Sequence, residues 1–89
     1  MSDATNAAQV MEALRAAKSE PAQTALSMLN ELVSLVQGED GQGLEVADAR
    51  SSAFMAICEV GKALHRGQPT DGLWAAAMSA TERWMTLAR

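Results

Sequence analysis

The chain has one cysteine, one histidine, one phenylalanine, no tyrosine and no cluster of lysine or arginine. A single thiol, Cys58, closes no internal disulfide, so no framework of bridges supports the fold. One histidine and one cysteine are also too few for a zinc site without acidic ligands at suitable spacing. Seven basic residues against eleven acidic ones leave a net charge of −4. No basic stripe is available to neutralise several phosphates, which disfavours direct nucleic-acid binding and adhesion to an anionic membrane. Valine and isoleucine are few and do not alternate in a run, so a sheet is hard to place. The opening MSDATNAAQV lacks the basic segment and apolar core of a signal peptide. The longest apolar run, LWAAAM, falls far short of the roughly 20 residues of a membrane-spanning helix. A cytoplasmic protein without a membrane partner is the expectation.

What the chain does have is apolar residues at helical spacing. With 48% hydrophobic and 20% charged residues it folds. At 89 residues it makes one domain, residues 1–89, of a size that buries about 60 to 65% of its unfolded surface. Ala7, Val10, Met11, Leu14 and Ala17 predict a first helix over residues 5–18, following the polar segment SDATN. KSEPAQ then breaks the pattern. Ser19 is a capping residue, and Glu20 and Pro21 suit the first turn of a second helix over 20–37. GEDGQG, residues 38–43, holds three glycines and two acids and reads as the main turn, short enough to favour antiparallel neighbours.

The third helix, over 45–66, is expected to bury Val46, Ala53, Phe54, Ile57, Val60, Gly61 and Leu64, with Glu59 and Lys62 opposite and Arg50 projecting near the apolar face. Gly67 and Pro69 end it, and Thr70 is placed to cap a fourth helix over 71–88. No repeat or long linker divides the chain. The fold class is all-α, a small helical bundle of three or four helices completed by homodimerisation.

Nothing in this pattern carries catalysis. Cys58 and His65 share a side of the third helix, but two turns separate them by about 10 Å along the axis, and a thiolate and its base need roughly 3 Å. Cys58 reads as a small core residue and His65 as a partner of the helix C-terminus. The acids Glu39, Asp40, Glu45 and Asp48 lack the ligand alternation of an EF-hand. The glycines lack the strand and the lysine of a phosphate-binding loop. No enzyme, no metal and no cofactor are expected.

The surplus is apolar. LSMLNELVSLV, residues 26–36, spreads Leu26, Met28, Leu29, Leu32, Val33, Leu35 and Val36 over half a helix circumference, where one core-facing stripe needs about 100°. The fourth helix does the same with Leu73, Trp74, Ala77, Met78, Ala80, Trp84, Met85 and Leu87. A core this small cannot hide both, so association is expected, first with a second copy of the chain. Six methionines and two tryptophans are suited to adaptable contacts and interface anchors. Met55 falls near the polar side of the third helix, beside Phe54, where packing within the chain explains it poorly.

LSMLNELVSLVQGEDGQGLEVADARSSAFMAICEVGKALHRG, about half the chain, resembles the small helical quorum-sensing antiactivators of pseudomonads, the QslA-like proteins. The likeness is one of pattern: a Leu-rich helix, a Gly-containing turn, and a helix reading Arg, small apolar residues, Glu, Val and Lys-Ala-Leu. It implies a non-catalytic dimer that binds a LuxR-type transcription regulator such as LasR and prevents its dimerisation and DNA binding. No site residue transfers through it. The alternative is a structural or chaperone subunit of a secretion or phage assembly, which uses the same kind of surface. On the residues themselves, the partner-binding set is Met28, Leu32 and Leu35 on the second helix, Phe54 and Met55 on the third, and Trp74, Met78 and Met85 on the fourth. The second- and third-helix members each stand at the margin of an apolar arc, and Trp74, Met78 and Met85 extend the surface onto the last helix.

Overall fold

Residues 2–37 and 43–89 are described by a computed structural model of the chain. Four α-helices follow one another among these residues: α1 Asp3–Lys18, α2 Ala22–Leu32, α3 Leu44–Arg66 and α4 Asp71–Ala88, with a short 3-10 turn, Val33–Leu35, continuing α2. No strand is present among them. The all-α bundle expected from the periodicity is therefore found. The predicted turn over residues 38–43, with Glu39 and Asp40, lies outside the described residues apart from Gly43.

Each boundary has a local cause. Ser2 caps α1, its side-chain oxygen accepting from the Thr5 N–H at 3.2 Å, so the helix begins two residues earlier than expected. Ser19 ends α1 rather than starting α2. Pro21 stands immediately before α2 in an extended conformation and its carbonyl accepts the first bond, from Ala25 N–H at 2.8 Å. The second helix thus starts later than predicted and tightens into a 3-10 turn at its end. Gly67, at φ 68°, closes α3 in the left-handed conformation that favours glycine, with Gln68 N–H reaching back to the Ala63 carbonyl at 2.8 Å. The Thr70 hydroxyl caps no backbone group of α4; it accepts instead from the Trp74 indole N–H at 3.1 Å.

The helices form a ring in which α1 packs on α2 and α4, and α3 packs on α2 and α4, leaving α1 and α3 on one diagonal. The densest seam is α3 with α4, followed by α1 with α4, and α2 is the more lightly held member. The longest dimension, 38 Å, follows from the 23 residues of α3 at about 1.5 Å each. Ala7, Val10, Leu14 and Ala17 of α1, Ala25, Leu29 and Leu32 of α2, Ala53, Ile57 and Val60 of α3 and Trp74, Ala77 and Trp84 of α4 belong to one core. The small residues let the backbones approach, and the two indoles fill the space that remains.

One polar cluster crosses that core. Asp3 is 1% exposed, and its Oδ1 accepts from Arg50 Nη1 at 2.7 Å and from the Trp84 indole N–H at 2.9 Å. The first turn of α1, the N-terminal half of α3 and the C-terminal end of α4 are joined at one oxygen. Asn6, one turn further on, donates to the Gln37 carbonyl at 3.0 Å and so ties the segment after α2 to α1. The buried Thr81 hydroxyl is satisfied within α4 by the Ala77 carbonyl at 2.8 Å.

Removing Asp3 leaves the buried Trp84 N–H without its acceptor and Arg50, itself a quarter exposed, without its partner, at a combined cost of about 3 kcal/mol. Asp3→Ala should therefore lose most of the stability of a domain this size, measured as the urea midpoint, with Asp3→Asn losing less because an acceptor for the Trp84 N–H remains. A midpoint unchanged in Asp3→Ala would show that the cluster does not hold the bundle.

Candidate partner-binding surface

The expected partner-binding residues separate into two groups once the helices pack. Leu32 is 2% exposed and Trp74 4% exposed, and both belong to the core rather than to an edge. The physical reason is that each helix is flanked on two sides. Leu32 stands at the margin of the arc of α2, and α1 covers that margin; Trp74 is fixed inward by its bond to Thr70. Met28, Leu35, Met78 and Met85 are half-buried, packed against the core with part of each side chain outside. Phe54 and Met55 are exposed, at 40% and 66%. Phe54 thus leaves the buried face of α3 on which the sequence placed it, while Ala49 and Ala63 join that face.

Among the described residues, grooves border α2 and α3. The first, about 370 Å³, runs between them and is lined by Leu26, Leu29, Val33, Ile57 and Gly61, with Cys58, Lys62 and His65 along the α3 side. The second, about 260 Å³, lies between α1 and α2, with Ala13 and Leu32 below and Met28, Glu31, Ser34 and Leu35 around it. The third, about 320 Å³, is lined by Val36, Arg50, Ser51, Phe54 and Met55. The apolar surplus of residues 26–36 is accounted for in this way. Leu29 and Leu32 fill the core, and Leu26, Met28, Val33, Leu35 and Val36 stand half-out along grooves on either side.

Cys58 and His65 line the same groove, but no bond joins them among the described contacts, and Cys58 is a free, half-buried thiol. No group of three or more His, Cys, Asp or Glu among the described residues could hold a metal ion. No described helix is long and apolar enough to cross a membrane. What the described surface presents is an apolar strip broken by isolated charges.

Sequence reasoning missed Leu44, the most exposed large apolar residue among those described, at 89%, at the first position of α3. It stands eleven residues before Met55, on the same line of the helix, and that spacing was the available signal. Comparison with family models, with curated proteins and with solved structures found no match.

The division between core and edge is open to direct measurement. Leu32→Arg and Trp74→Ser should each cost more than about 3 kcal/mol, the scale of a disrupted core site. Leu44→Ser should stay within about 0.5 kcal/mol of the parent. Thermal unfolding of the three variants checks this ordering, and a stable Leu32→Arg protein would return that residue to the surface.

Proposed function

We propose that the chain is a non-catalytic interaction protein that acts as a homodimer and holds a LuxR-type transcription regulator, such as LasR, in a form that neither dimerises nor binds DNA. The observation that carries this reading is the outer edge of α2. Met28 and Leu35 flank a groove floored by Leu32 and Ala13, on the helix least tightly held by the rest of the bundle. An apolar helical edge beside a groove is the geometry by which one helix recognises another. The resemblance of residues 26–67 to QslA-like antiactivators supports the same assignment.

The mechanism is competitive. Covering the face a regulator uses for its own dimer removes the two-fold arrangement that its DNA half-sites require. The charge of −4 keeps the antiactivator itself off nucleic acid, since like charge raises the cost of close approach to phosphate. Location in the cytoplasm, where such a regulator works, is part of the proposal.

In a gel-shift assay the protein should dissolve a LasR–operator complex while producing no shifted band with DNA alone. Leu35→Arg should raise the concentration required by about thirtyfold or more, the effect of losing a 2 kcal/mol hot spot, and its unfolding midpoint should fall by less than that of Leu32→Arg. A direct shift of DNA by this protein, or full activity of Leu35→Arg, contradicts the proposal. Affinity capture of a secretion or capsid component in place of a regulator would favour the structural-subunit reading.

A further inference from the structure

Among the described residues the outward face of α3 is left open apart from the exposed Asp48–Arg83 pair, and its charges are placed in complementary order about Met55. Along this line stand Leu44, Asp48, Ser51, Met55, Lys62 and Arg66, at intervals that keep them on one side of a helix of about 3.6 residues per turn. Asp48 lies seven residues before Met55 and Lys62 seven after it. Leu44 lies eleven before and Arg66 eleven after. On this line the acid Asp48 precedes the midpoint and the bases Lys62 and Arg66 follow it, with Glu59 standing off the line beside Lys62. The two most exposed large apolar side chains, Leu44 and Met55, lie on this same line.

We infer that this face docks a second copy of the chain, α3 against α3 in antiparallel order, with the two-fold axis passing beside Met55. This rests on the self-association in the function proposed above and assigns it a surface. In antiparallel register Asp48 of each copy meets Lys62 of the other, twice per dimer. In parallel register the same face would set Asp48 against Asp48 and Lys62 against Lys62, and like charges opposite one another are unfavourable. The charge order therefore selects both the partner and its direction.

Shape agrees with charge. Met55, 66% exposed, forms one wall of the pocket of about 320 Å³ that Val36, Arg50, Ser51 and Phe54 complete. A two-fold axis beside this wall brings each exposed Met55 against the mouth of the other copy's pocket, the self-matching contact that an isologous interface requires. A flexible thioether suits an irregular pocket of this kind.

The intrachain pairs on this face do not compete strongly. Asp48 lies 3.7 Å from Arg83, and Lys62 lies 3.4 Å from Glu59, but all four side chains are more than half exposed. Exposed pairs of this type are weak and easily shared. The strip measures roughly 34 by 10 Å. That is less than half of the roughly 800 Å² each partner contributes to a standard interface, so a weak dimer is expected. The groove at Met28 and Leu35 stays outside this dimer, free for a different protein.

Sedimentation equilibrium of the full chain from 1 to 200 µM, with charge-reversal variants, tests the assignment. The parent should show a dimer. Met55→Arg should raise its dissociation constant at least thirtyfold. Asp48→Lys and Lys62→Asp should each weaken it about tenfold, and the double variant Asp48→Lys/Lys62→Asp should return it to within about threefold of the parent, a rescue that a fold defect cannot produce. A dimer that withstands Met55→Arg and both reversals uses another face; it overturns this assignment and leaves the homodimer standing. A monomer at every concentration overturns both the assignment and the self-association it rests on, while regulator binding is decided separately by the gel shift.

Discussion

The carboxylate of Asp3 is the constraint on which the bundle depends. α1 and α3 face each other across the diagonal of the ring, where packing alone gives them little direct contact. The bond from Arg50 spans that diagonal, and the bond from the Trp84 indole brings in the end of α4. A buried charge is costly unless it is paired and hydrogen-bonded. Once Asp3 is buried, the positions of Arg50 and Trp84 are therefore fixed together, and with them the axial register of three helices. Ser2 contributes by starting α1 early enough to place Asp3 in its first turn, where the helix dipole also favours an anion.

The fourth member of the ring is held differently. α2 rests on α1 and α3 through Ala25, Leu29 and Leu32 and receives no polar tie of its own from the Asp3 cluster. Asn6 secures only the segment that follows it. A helix with a broad apolar arc placed on the less densely packed side of a small bundle keeps its core-facing residues covered and its margins open. Those margins are the grooves on its two sides, and they are why the chain presents apolar surface that an 89-residue core does not use. Recognition of another helix is the use proposed for this surface.

Helix periods, the glycine that ends α3 and the inward stripe of α1 were legible in the sequence, because they depend on local spacing and backbone chemistry. The Asp3 cluster was not read there, although its signal was present. Asp3 continues the Ala7, Val10, Leu14, Ala17 stripe one turn backward, and Arg50 interrupts the Val46, Ala53, Ile57, Val60 stripe at a core position. An acid and a base each standing in an apolar stripe are natural partners for one another. Leu32 and Trp74 were misplaced for a different reason: the margin of a helical arc is an edge only where no neighbour covers it, and which side is covered depends on the packing of the whole ring. Phe54 shows the converse, an aromatic residue at core spacing that the ring leaves outside.

The central claim is that the core is complete without a partner and that the edge of α2 is kept for one. Amide hydrogen exchange followed residue by residue, in the free chain and in the presence of a LasR ligand-binding domain, tests it most directly. The account requires exchange in α2 to be faster than in α3 and α4 of the free protein, and to slow selectively across residues 28–35 when the regulator domain is added. Uniform protection of all four helices in the free chain, together with no change at α2 on addition of the domain, would contradict it.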